Sequence, residues 1–137
     1  MLLAIDTSTR TVGVALYDGT QVLGEIAWSS RDYHTVELAP AVSEILRRGQ
    51  MDPEAIKAVA VATGPGSFTG LRIGLAFAKG LCLARHLPLI GFPTLDILAA
   101  AQPVLALPLI AVLQAGRARL AIGRYHSAAG SWEPNGT

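Results

Sequence analysis

The sequence predicts an α/β protein: a five-stranded mixed sheet with helices against its faces, and after it the start of a second, similar domain. Three observations predict this. Short apolar runs such as residues 2–6, 12–17 and 58–63 alternate with segments of helical periodicity. Asp18-Gly19 lies between two of these runs, a strong short-range hairpin signal that makes the opening strands antiparallel. The stretch Gly64-Pro65-Gly66-Ser67-Phe68-Thr69-Gly70-Leu71-Arg72-Ile73-Gly74 then joins a β-branched run to an apolar helix, as a crossover to a parallel strand requires. With 137 residues, 51% hydrophobic and 15% charged, the chain suits one compact domain, or a domain plus part of another.

Taken in order, residues 2–6 form a short buried strand ending in the carboxylate of Asp6, and the hydroxyl-rich turn at 7–10 leads to strands at 12–17 and 21–28. Leu38, Val42, Ile45 and Leu46 recur at helical spacing over residues 36–48, with Arg47 and Arg48 suited to the C-terminal end. Pro40 falls too late for a first helical position and predicts a kink or a later start, and Gly49 ends the helix. Asp52-Pro53-Glu54 reads as the cap, proline and acidic first turn of a brief helical turn before the strand at 58–63. Beyond the glycine stretch come a helix to residue 85, a strand at 87–92 and a helix from Thr94, as its cap, to residue 101. Residues 102–108 read as a linker, 109–113 and 119–125 as two strands, and 127–137 as a frayed end. The order satisfies the ribonuclease H-like arrangement. It divides the chain into an N-terminal domain at 1–102 and, at 103–137, a linker with the first hairpin of an incomplete second domain.

In the glycine stretch, Pro65 fixes one φ, the glycines permit close approach and Thr69 is placed to cap the helix. Backbone N–H groups at such a helix start favour an anion, although the lysine of a Walker loop is absent. The helix at 70–85 carries two small-residue stripes, Gly70, Gly74 and Ala78, then Ala76, Gly80 and Ala84, with Arg72 and Lys79 in a narrow polar wedge. A helix this apolar is expected to be covered around nearly its whole circumference, by the core alone or by the core and another subunit.

Charge and reactive residues narrow the function. The net charge is +1, yet residues 1–60 hold five basic and eight acidic side chains while 61–137 hold six basic and two acidic ones, which allows a local basic face. Cys82 is the only cysteine, so no intrachain disulfide forms, and it reads as a small buried hydrophobe. No signal peptide or membrane-length apolar run is present, so cytoplasmic residence is expected. His34, His86 and His126 are far apart in sequence and no HExxH motif occurs, so neither a zinc protease nor a bound metal is expected. A nuclease would need several converging carboxylates, and the strand at 58–63 supplies none to join Asp6. Neither Cys82 nor Ser67 has a nearby base in sequence.

The chain resembles the TsaB (YeaZ) family. The resemblance rests on Ala4-Ile5-Asp6-Thr7-Ser8-Thr9, on Val12-Gly13-Val14-Ala15-Leu16, on His34 with Leu38 and Pro40, and above all on the eleven residues at 64–74. It spans about residues 1–126 and implies a non-catalytic, glycoprotease-like member of the actin and sugar-kinase superfamily. It further implies cytosolic partners TsaD and TsaE and a role in placing threonylcarbamoyl on adenosine 37 of tRNA, with tRNA met indirectly through the complex. Gln114-Ala115-Gly116-Arg117 departs from the Asp-Ala-Arg that relatives tend to have, and relatives continue where this chain ends. The expected partner surface is the two long helices, with Leu38, Leu71, Gly74, Leu75, Ala78 and Gly80 as contacts and a homodimer when the chain is alone. No cofactor of its own is expected, and the resemblance leaves room for ATP or ADP only within the complex. The alternative is a nucleotide-binding ATPase or kinase-like enzyme, for which Asp6, Thr7, Ser8, Gly64, Gly66 and Ser67 are the anion-contact candidates.

Overall fold

A computed structural model describes residues 1–31 and 35–135; His34 lies outside the described residues. Strands β1 (Leu2–Asp6), β2 (Thr11–Tyr17) and β3 (Val22–Ser29) form an antiparallel meander, with Ala4 opposite Ala15 and Val14 opposite Ile26. Helix α1 (Thr35–Arg48) and a 3-10 turn (Pro53–Ala55) lead to β4 (Ala58–Gly64), which pairs parallel to β1. Helix α2 (Phe68–Arg85) then crosses to β5 (Leu89–Pro93), parallel to β4. The sheet order is β3-β2-β1-β4-β5, the mixed five-stranded sheet expected from the sequence.

Alternation along the strands decides what each face meets. Leu3 and Ile5, Val12, Val14 and Leu16, and Val59 and Val61 point to one face. There they are buried with Leu38, Val42, Ile45 and Leu46 of α1 and Ala78 and Cys82 of α2. Both long helices therefore cover the same face and touch each other. The other face carries the small residues Ala4, Gly13, Ala15, Ala27, Ala60 and Ala62, which floor an apolar trough of about 430 Å³ closed at one side by Ile97 of α3 (Thr94–Ala100).

A second sheet, ordered β6-β7-β8, is built from β6 (Leu109–Gln114), β7 (Leu120–Ala128) and β8 (Ser131–Pro134). It packs on α3 through Ala99, Ala111, Tyr125 and the half-buried Leu95, Leu98 and Trp132. Two polar links fasten it: the Tyr125 hydroxyl donates to Asp96 Oδ1 at 2.7 Å and Trp132 Nε1 to the Gln102 carbonyl at 3.2 Å.

Several sequence expectations are corrected. α2 starts at Phe68, so its cap is Ser67, whose Oγ accepts from Gly70 N at 3.2 Å, and not Thr69. Thr94 is the first residue of α3 and makes no capping bond; its buried Oγ1 has no partner among the described residues. α1 runs through Pro40 unbroken, with the proline on an exposed face in the second turn. After α1 the positive φ belongs to Gln50 at 52°, one residue beyond Gly49. Residues 127–134, expected to fray, complete β7 and form β8, because Ala129 and Gly130 at positive φ make a tight reversal and Trp132 gains a packing site.

Candidate functional site

The glycine stretch and the turn after β1 form one clasp. Asp6 Oδ1 accepts from Ser8 N at 2.8 Å and from Ser8 Oγ at 2.6 Å, which shapes the turn. Thr7, fully buried, donates through Oγ1 to the Gly70 carbonyl at 2.7 Å, and Ser67 N donates to the Ser8 carbonyl at 2.7 Å. Glycine is required at two points of this clasp: a Cβ at Gly66 would overlap the Ser8 carbonyl, and one at Gly74 would overlap Thr7 Oγ1. Gly64, at φ 103°, begins the turn with a cis bond to Pro65 and is covered by Leu71. The structure thus brings Asp6, Thr7, Ser8, Gly64, Gly66 and Ser67 together, and Asp6 Oδ1, Thr7 Oγ1, Ser8 Oγ and Ser67 Oγ are engaged within the chain.

The clasp settles which way α2 faces. Gly70, Gly74, Ala78 and Cys82 form its buried stripe, pressed on the turn after β1 and on the sheet. Leu38 of α1 is likewise buried. Leu38, Gly74 and Ala78 therefore belong to the chain's own core and offer no surface to a partner, a correction forced by close packing against Thr7 and the strands. Leu71 and Leu75 are half-buried, and Gly80 is exposed with open space beside it.

Apart from Gly80, the outward face is made by residues the sequence did not assign to a partner. On α2 it is Arg72, Ala76, Gly80 and Leu83, preceded by Phe68; on α1 it is Val36, Ala39, Pro40 and Ser43. Three large side chains stand in solvent, with Val36 at 72%, Phe68 at 73% and Leu83 at 77% exposure. The Arg72 guanidinium sits over the Phe68 ring, 5.3 Å from its centroid. The second small-residue stripe, Ala76, Gly80 and Ala84, carried this signal in the sequence; what was missing was the buried contact of Thr7 with Gly70, 63 residues apart, that turns the first stripe inward.

Reactive groups are few. Cys82 is buried and its thiol is pushed up by that burial, away from nucleophilic use. No group of three or more His, Cys, Asp and Glu side chains converges among the described residues. Among the described residues, no helix is long and apolar enough to cross a membrane.

Comparison with known proteins agrees with this architecture. The chain matches the family described as TsaD, tRNA N6-adenosine threonylcarbamoyltransferase, over residues 21–134. It is 39% identical over 99 residues to the tRNA threonylcarbamoyladenosine biosynthesis protein TsaB of Bacillus subtilis, covering 72% of this chain and 43% of that one. It is 42% identical over 98 residues to TsaB of Escherichia coli, covering 72% and 42%. The chain thus spans less than half the length of these relatives. Among solved structures, YeaZ from Pseudomonas aeruginosa superposes with a TM-score of 0.89 at 28% identity, over 99% of this chain and 64% of that one. Sequence and fold together place the chain in the TsaB (YeaZ) family, within the wider group that TsaD represents.

Proposed function

We propose that this chain is a non-catalytic subunit that docks on a TsaD-type protein, with a TsaE-type protein in the same assembly, and so supports threonylcarbamoylation of adenosine 37 in tRNA. The observation that carries the reading is the outward face of α1 and α2, where small and apolar residues stand in solvent over a fully built core. Small residues let a partner's helices approach closely, and Val36, Phe68 and Leu83 supply apolar area around them. Without the partner, two-fold pairing lets one such patch serve both sides, so the isolated chain forms a homodimer. Its N-terminal unit, residues 1–102, is the docking body, and 103–137 begin a second unit. ATP or ADP belongs to the assembly and tRNA is reached through it; the internal bonds of Asp6 and Ser67 support a structural part for the clasp in place of the phosphate chemistry of a kinase.

Reconstitution tests this. The pure chain should hydrolyse no ATP and cleave no glycoprotein, while its addition to TsaD-type and TsaE-type subunits should raise tRNA modification. ATP turnover by the chain alone, or modification indifferent to its presence, would contradict the proposal.

A further inference from the structure

We propose that the arginine-bearing cleft between the two sheets is a binding surface for the sugar-phosphate backbone of RNA, so that this chain contributes RNA contacts of its own to the assembly. The cleft, about 480 Å³, is lined on one side by Arg10, Arg31 and the start of α2, and on the other by Leu113, Gln114 and Gly116. The backbone brings the two arginines together: Ser30 N donates to the Arg10 carbonyl at 2.9 Å, which sets Arg31 beside Arg10. The opposite wall ends in the turn between β6 and β7, pinned by bonds from Ala115 N to the Arg119 carbonyl and from Arg119 N to the Gly116 carbonyl, at 2.8 and 2.9 Å. That turn carries Arg117 and Arg119.

None of these four guanidiniums has an acidic partner among the described residues, and residues 103–137 hold only one carboxylate side chain, Glu133. Elsewhere the chain does pair its arginines: Arg47 and Arg48 with Glu44, Arg85 with Glu54. Arg10 and Arg31 line the cleft, and the turn bounding it carries two more exposed arginines, none with an acidic partner among the described residues; such a surface attracts a ligand with several spaced negative charges, and a guanidinium fork matches phosphate oxygens. Phe68, at the mouth of the cleft and mostly exposed, offers a ring on which an unpaired base can stack. Charge and aromatic together favour an RNA loop over an acidic protein segment, which would use the charge alone.

The proposal rests on the reading above only for the RNA's identity. Its test measures binding of an end-labelled RNA stem-loop to the full chain by fluorescence anisotropy across a salt series. Arg10→Ala/Arg31→Ala should bind about tenfold more weakly, with the slope of log K against log salt shallower by about 1.4. Arg47→Ala/Arg48→Ala removes the same net charge at the far end of α1 and should bind as the parent does. Unfolding midpoints and binding to the TsaD-type protein are measured on the same variants, so failure here with partner binding intact overturns the cleft alone. Equal loss in both double variants, no loss in either, or polyglutamate or ATP binding as tightly as the RNA would overturn it.

Discussion

Gly74 and Gly80 are two glycines on one helix whose replacement by alanine should have opposite signs. A Cβ at Gly74 overlaps Thr7 Oγ1, whose own bond to Gly70 prevents it from yielding, so Gly74→Ala should destabilise the chain by about 1–3 kcal/mol. Nothing lies within 4 Å of a Cβ at Gly80, and relief of glycine's helix cost should make Gly80→Ala more stable by roughly 0.5–1 kcal/mol. Denaturant midpoints of the two variants decide it, and equal signs would refute the placement of α2. Tyr125 makes a second prediction at this scale. Burial, then its bond to Asp96, pushes its phenol up to about 12. The folded chain therefore holds that proton more tightly than the unfolded chain, whose tyrosines titrate near pH ~10. The stabilisation is complete below about pH 10 and is lost as the pH rises towards 12. In a melting series over that range Tyr125→Phe should lack this alkaline loss; identical profiles would show that the hydroxyl does not contribute.

Among the elements, the helix caps separate what the sequence showed from what it hid. The meander, both parallel strands and all three helices were legible, because Asp18-Gly19, the β-branched runs and the spacing of Leu38, Val42 and Ile45 are local signals. The cap of α2 was misplaced by two residues, since Ser67 and Thr69 both carry a hydroxyl and only the folded loop shows which faces Gly70 N. Ser67→Ala should cost about 0.5–2 kcal/mol and Thr69→Ala much less, read from thermal unfolding. A larger loss at Thr69 would restore the sequence-based assignment. β8 escaped notice for another reason: its Gly, Ser, Pro and Asn content reads as loop, while the register with β7 and the seat of Trp132 on α3 are tertiary facts.

For the whole molecule, the central claim is that the outward face of α1 and α2 receives a TsaD-type protein. That both helices share one face of the sheet could be inferred from topology, but which side of each looks outward could not, so Leu38, Gly74 and Ala78 were candidates until the clasp placed them inside. Substituting those positions would disturb the core together with any interface, so a lost affinity would not tell the two apart. Ala76 and Leu83 are exposed and free of the core, and a carboxylate at either would be stripped of water unpaired if the face is covered. The decisive measurement is a calorimetric titration of the TsaD-type protein into Ala76→Glu and Leu83→Glu, with unfolding midpoints taken in parallel. Both variants should keep the parent's midpoint and bind at least about tenfold more weakly, a loss of more than ~1.4 kcal/mol. Two variants that fold as the parent does and bind the TsaD-type protein with undiminished affinity would contradict it.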